Sequence, residues 1–207
     1  MLSKHHRTSF FSGLLFLGLL PARGFHDPPK LKGSILEIPR ATAVTVDGVI
    51  SPGEWDHAMR LEIVVAEQWI VTVYAQHDGK NLYLAYSGLK REGQERYPEV
   101  LFDPDNGKTA TWTPRQWWLH ASYNLCESKG RPDDYRTCKP AQQGWTATRF
   151  PLQSVSEFAI SLDKIGLSPR KRFGFAFDVT DTHGRWSFWP HSARLNVPKT
   201  WQTAQLQ

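Results

Sequence analysis

The chain has 207 residues, with 25 lysines and arginines against 20 aspartates and glutamates. Three of the basic residues, Lys4, Arg7 and Arg23, lie in the first 24 positions with no acid, so the remainder is close to neutral and the charge gives no support for nucleic acid as a partner. The longest basic cluster beyond them, Arg170-Lys171-Arg172, reads as a solvated strand entrance.

Residues 1–24 have the layout of a secretory signal. Lys4 and Arg7 form the positive end, residues 10–20 the apolar segment, and Ala22-Arg23-Gly24 offers small residues at the two cleavage positions. The apolar run is short against the roughly 20 residues that span a bilayer, so export with cleavage is expected, without stable membrane insertion. Secretion or delivery to a periplasm follows as the expected location. The remaining 183 residues suffice for one well-buried core and are too few for two ordinary ones.

Residues 25–41, with Pro28, Pro29 and Pro39, read as an extended leader, and one domain is expected over 42–207. From Thr42 onward, short runs with two-residue alternation recur between turn signals. Strands are expected near 61–65, 70–77, 81–88, 99–102, 116–124, 145–150, 157–161, 172–180 and 185–189. The pair 70–77 and 81–88 is joined through Asp78-Gly79-Lys80, a hairpin signal. Helical turns are expected only near 52–59 and 162–167. The fold class is all-β: an antiparallel β-sandwich with jelly-roll or immunoglobulin-like layering and about nine strands. Cys126 and Cys138 lie in a polar stretch of an exported chain, where a disulfide is expected, worth roughly 3 kcal/mol at best.

The segment VTVDGVISPGEWDHA (44–58) places a glycine suited to a left-handed turn at Gly48 and a ring at Trp55 to plug one end of the sandwich. Collinear with it run VYAQHDGKNLYLAYSG (73–88), EVLFDPDNG (99–107), WWLHAS (117–122), WTATRFPLQSVSEFAISLDKIGL (145–167) and RKRFGFAFDVTDTHGRWSFWP (170–190). Taken together, this series resembles the family 9 carbohydrate-binding modules. They belong to a wider DOMON-like group of secreted sandwiches that also contains haem-binding domains. The stretch from Asn124 to Gly144 departs from the family pattern and reads as a local insertion. The resemblance implies a calcium-containing sandwich that grips a sugar between tryptophans and is often attached to a xylanase or another polysaccharide-degrading enzyme. Polysaccharide or oligosaccharide, such as xylan or cellulose, is the implied ligand.

The residues carry a parallel argument. A pyranose has apolar C–H faces and a polar rim, which flat rings and edge hydrogen bonds satisfy. In the tryptophan-rich strand, Trp117, Leu119, Ala121 and Tyr123 share one parity, and Trp118, His120, Ser122 and Asn124 the other. The first set is expected in the core and the second outward, making Trp118 a platform. Alternation likewise sends Phe173, Phe175, Phe177 and Val179 inward and Arg172, Gly174, Ala176 and Asp178 outward, leaving Trp186 or Trp189 as a second ring. Arg115, Gln116, His120 and Arg185 are the candidates for the polar rim.

Asp103, Asp105 and Asn106 in FDPDNGK gather oxygens that suit calcium, although the same residues also make plain turns. Asp178 and Asp181 form a weaker second cluster. No GxSxG, HExxH or phosphate loop is present, and no acid pair is placed across a bond, so no catalytic residue is assigned. The alternatives are a haem-binding electron-transfer domain, which would draw Met59 into an axial pair with a distant histidine, or a structural envelope module without a ligand.

Overall fold

The computed structural model describes residues 35–121, 126–129 (backbone only), 144–148 and 154–207. The expected signal, most of the leader and Cys138 lie outside the described residues, as does the side chain of Cys126.

Two sheets make the sandwich. The first contains β2 (Met59–Ala66), β3 (Trp69–His77), β4 (Asn81–Ser87), β10 (Trp145–Ala147) and β11 (Val155–Ser161), in the order β10-β11-β4-β3-β2, all antiparallel. The second contains β1 (Leu36–Ile38), β7 (Tyr97–Asp103), β8 (Trp117–His120), β9 (Cys126–Lys129), β12 (Arg172–Thr180) and β14 (Gln202–Leu206), in the order β1-β14-β12-β7-β8-β9. A seventh strand, β13 (Trp186–Trp189), also pairs with β12. A small ribbon of β5 (Lys90–Arg91) and β6 (Gln94–Glu95) leads into β7.

Alternation builds the core as expected. Leu61, Ile63, Val71, Val73, Leu84, Tyr86, Phe158 and Ile160 of the first sheet meet Val100, Phe102, Trp117, Leu119, Phe173, Phe175, Phe177 and Val179 of the second. The phenylalanines interlock: Phe175 lies 5.1 Å from Phe102 and 4.4 Å from Phe177 between ring centroids. Removing one such ring would cost about 3–5 kcal/mol. In the β3–β4 hairpin, Gly79 takes φ 95° and the Asp78 carboxylate accepts from the Lys80 and Asn81 backbone N–H groups, both at 2.7 Å. Alternation thus fixes the faces, and the Asp-Gly turn fixes the register of the pair.

Three expectations are corrected. Residues 36–38 are a strand of the second sheet rather than part of a leader lying across the domain, because Leu36 and Ile38 bury in the main core while β1 pairs in parallel with β14. Residues 52–58 form turns and no helix, whereas the second expected helical turn is present as α1 (Leu162–Ile165), ended by Gly166 at φ 76°. Trp55 covers the outer face of the first sheet, packed with Tyr83 and Ala85, instead of plugging an end. Glu157 ties that cover down: its carboxylate accepts from the backbone N–H groups of Asp47 (3.0 Å) and Gly48 (2.7 Å) and from the Trp55 indole (3.3 Å).

Candidate functional site

The outer face of the second sheet carries the unusual chemistry. Register aligns Phe188, Asp178, Glu99 and His120 in one row across β13, β12, β7 and β8, with Ala176, Leu101 and Trp118 in the next. Parity therefore places Trp118 and His120 off the main core, as expected. Both are nevertheless buried, against the expectation of outward exposure. Trp118 packs in a second apolar cluster with Leu101, Ala176, Ala193 and Trp201, because residues 193–201 fold back over this face; Trp112 joins edge-on to Trp201 at 5.2 Å.

Glu99 organises the row. Its side chain accepts from the Trp118 indole N–H at 2.7 Å and meets His120 Nδ1 at 2.6 Å, while the Tyr86 hydroxyl donates to its backbone carbonyl at 2.6 Å. Burial pushes Glu99 up to about 7, against the stabilising contacts of Asp178 and Trp118. Burial lowers His120 to about 4, partly offset by Asp178, so the imidazole is neutral at neutral pH and one proton is shared along the Nδ1–Glu99 contact. Burial and then the neighbouring Glu99 charge raise Asp178 well above an ordinary carboxyl. Asp178 reaches toward Glu99 without a closed hydrogen bond: neither of its oxygens, in a fully buried side chain, has a partner of good geometry.

At the end of this face, β13 opens on Trp186, which pairs in register with Thr180 and is 47% exposed. All nine tryptophans are among the described residues, and Trp186 alone has an exposed ring. Trp189, the other candidate for a second ring, is buried in the main core beside Phe177 at 5.8 Å, because its parity faces inward. The turn before Trp186 is bound by Asp181, whose carboxylate takes Arg185 through Nε at 2.7 Å and Nη2 at 2.6 Å.

The other rim candidates lie elsewhere. Gln116 is buried and serves the loop, donating to Asp103 at 3.1 Å and accepting from the Thr113 backbone at 2.6 Å. Arg115 is open to solvent but pairs with Asp105 at 3.0 Å, beyond the far end of β7 from Tyr97, the residue in register with Thr180 and Trp186. At about 3.3 Å per residue, the length of β7 separates the two ends by roughly 20 Å. Arg185 and Trp186 are brought together; Arg115 and Gln116 do not join them. Met59, the thioether considered for haem, packs partly buried against the main core.

The 103–106 loop does not fit calcium as folded. The two Asp103 oxygens accept from Gln116 and from the Lys108 backbone, the two Asp105 oxygens face Arg115 and Lys171, and Asn106 Oδ1 accepts from Thr203. Every oxygen of the set meets a donor, and the cationic neighbours oppose a further positive charge. Asp178 and Asp181 fail as a second cluster for a related reason, since Asp181 is taken by arginines. Among the described residues, no three His, Cys, Asp or Glu side chains gather in a metal-binding arrangement.

Solved structures share the fold: a family 9 carbohydrate-binding module from Caldicellulosiruptor kristjanssonii in complex with cellotriose has a TM-score of 0.59 at 14% identity, over 84% of this chain and 94% of that one. The module in complex with glucose matches with a TM-score of 0.59 at 13% identity, over 84% and 96%. The fold is a family 9 carbohydrate-binding module-like β-sandwich. No protein-family profile matches the chain, and no curated protein matches its sequence. At such identity the family 9-like likeness concerns backbone architecture, and side-chain roles rest on this chain's own geometry.

Glu99 escaped the sequence reading of the site. Its signal was an acid inside the apolar run EVLFD, at a position that alternation assigns to the outer face. Arg96 left no comparable mark, and Asp181 reads in the sequence only as part of a weak oxygen cluster with Asp178, because their meeting depends on how β6 approaches the β12–β13 connection.

Proposed function

We propose that this chain is an exported, non-catalytic carbohydrate-binding module that holds an oligosaccharide or polysaccharide by stacking a sugar ring on Trp186. The observation that carries the reading is the exposure of this single indole, 47%, at the edge of a sheet whose other tryptophans are covered. The fold likeness to modules solved with cellotriose and glucose supports the ligand class by analogy. Arg185, the residue before this tryptophan, has a side chain 70% exposed and is the candidate for a polar edge. One ring in place of two facing rings leaves the opposite sugar face open, an arrangement suited to the interior of a β-linked glucan as well as to its end.

A non-catalytic role agrees with the placement of the acids. Glycoside hydrolysis needs two carboxyls on opposite sides of a scissile bond. Glu99 and Asp178 are instead side by side on adjacent strands and fully buried. Export rests on the amino-terminal sequence, and no helix among the described residues is long and apolar enough to cross a membrane.

Affinity electrophoresis in gels containing hydroxyethyl cellulose or soluble xylan tests the reading. Wild-type protein is retarded on at least one glucan or xylan, and Trp186→Ala migrates as in a gel without polysaccharide. Equal migration of wild type in all gels would count against the function.

A further inference from the structure

The way Trp186 is held goes further than its exposure. An exposed indole on a mobile turn would lose conformational freedom each time a sugar stacked on it, whereas a ring already fixed in place avoids that cost. The connection from β12 to β13 is bound with unusual density by one carboxylate. Oδ1 of Asp181 accepts from the backbone N–H groups of His183 at 2.9 Å and Arg185 at 3.0 Å. Oδ2 takes Nε and Nη2 of Arg185 at 2.7 and 2.6 Å, and Nη1 of Arg96 at 3.3 Å. The backbone closes the same turn, with Asp181 N donating to Arg185 O at 3.2 Å and Gly184 N to Asp181 O at 3.0 Å.

These contacts reach the ring through Gly184 and tie the turn to the first sheet through Arg96. Gly184 takes φ 70°, and a side chain there would come within 3.8 Å of Trp186 Cη2, so the glycine backs directly on the indole. Arg96, with a side chain only 10% exposed, lies 4.7 Å over the Trp69 ring, whose indole N–H donates to Gly88 O at 2.8 Å. The turn is thereby anchored through Arg96 to the first sheet. Arg185 is bound to Asp181 by Nε and Nη2, so the carboxylate that closes the turn also holds the guanidinium.

We propose that Asp181 is a positioning residue for carbohydrate binding: it fixes the turn, the Arg185 guanidinium and, through them, the open Trp186 indole in the orientation that a sugar meets. The inference rests on Trp186 being the platform, and it adds that the affinity depends on a carboxylate that touches no ligand. A loose turn would retain the same ring and the same polar groups but would have to order them on binding, which corresponds to about a three- to tenfold loss of affinity.

The test combines calorimetric titration of cellotriose with the indole N–H signals of 15N-labelled protein, comparing wild type, Trp186→Ala, Asp181→Ala and Asp181→Asn. The Trp186 signal is the one lost in Trp186→Ala. Expected are an affinity loss of about three- to tenfold in Asp181→Ala and a smaller one in Asp181→Asn, whose amide oxygen still accepts from the turn but no longer pairs with the arginines. The Trp186 signal shifts or broadens in both variants, with a smaller shift allowed at Trp69 beneath Arg96, while the other seven indole signals stay in place. Wild-type affinity in Asp181→Ala, alongside lost binding in Trp186→Ala, would overturn the positioning role and leave the platform standing. Perturbation of all the indole signals in both Asp181 variants would overturn it too, since Asp181 would then act on the fold as a whole. Unchanged affinity in Trp186→Ala would overturn the platform reading and this inference with it.

Discussion

His120 Nδ1 and the Glu99 carboxyl meet at 2.6 Å on the outer face of the second sheet, both buried, with Asp178 in register on the next strand. The two partners titrate in opposite senses. Glu99 is raised by burial from 4.5 to about 7, so its contribution to stability is fully present below 4.5 and is lost as pH rises through about 7. His120 is lowered by burial from 6.5 to about 4, so its contribution is present above 6.5 and is lost as pH falls through about 4. Glu99→Gln removes the first dependence and relaxes the upward push on Asp178, which acts in the same direction. Urea midpoints at pH 5 and pH 8 are expected to show the variant gaining on wild type at the higher pH. A difference between the two proteins that does not change with pH would contradict the assignment.

Trp118 belongs to packing. It fills the cluster of Leu101, Ala176, Ala193 and Trp201 and donates to Glu99 at 2.7 Å. Trp118→Ala is expected to destabilise the protein by about 3–5 kcal/mol in urea unfolding. Trp118→Phe keeps most of the volume, so its cellotriose affinity is expected to stay within about twofold of wild type, well under 1 kcal/mol. A selective loss of sugar binding in Trp118→Phe would place a ligand on this ring after all.

Glu157 holds the 44–58 segment against the first sheet through two backbone N–H groups and the Trp55 indole. Glu157→Ala leaves these donors without their acceptor, at about 1–3 kcal/mol for each that stays buried. Hydrogen exchange at the Asp47 and Gly48 amides should accelerate in the variant, ahead of core amides such as Val73. Unchanged exchange at Gly48 would show that the segment is held by its apolar contacts alone.

The acidic loop after β7 is saturated with protein donors and cations. Calcium is therefore expected to shift the thermal midpoint no differently in Asp105→Asn than in wild type, measured against EDTA. A calcium-dependent rise of several degrees that Asp105→Asn abolishes would reinstate a metal at this loop.

Much of the fold was legible because strand alternation is a local signal. The inward phenylalanines of β12, the Asp-Gly hairpin and the burial of Trp117 all follow from period-two patterning over a few residues. What alternation cannot reveal is a covering layer. It places Trp118 and His120 off the main core correctly, but it carries no information that residues 193–201 return over that face and bury it. Strands β1 and β14 were missed because each is short and its partner lies at the opposite end of the chain. The oxygens of Asp103, Asp105 and Asn106 suggested a metal by composition; their distant partners Lys171 and Thr203 become visible only once β12 and β14 pair beside the loop. Trp186 and Trp189 differ by parity alone, and the hairpin register, unknowable from sequence, decided which ring is open.

Isothermal titration of cellotriose into wild type and Trp186→Ala measures the contribution of the open indole most directly. A stacked sugar ring predicts saturable binding to wild type and an affinity reduced by at least about tenfold in the variant, or about 1.4 kcal/mol, with the unfolding midpoint unchanged. Equal binding by the two proteins would contradict it.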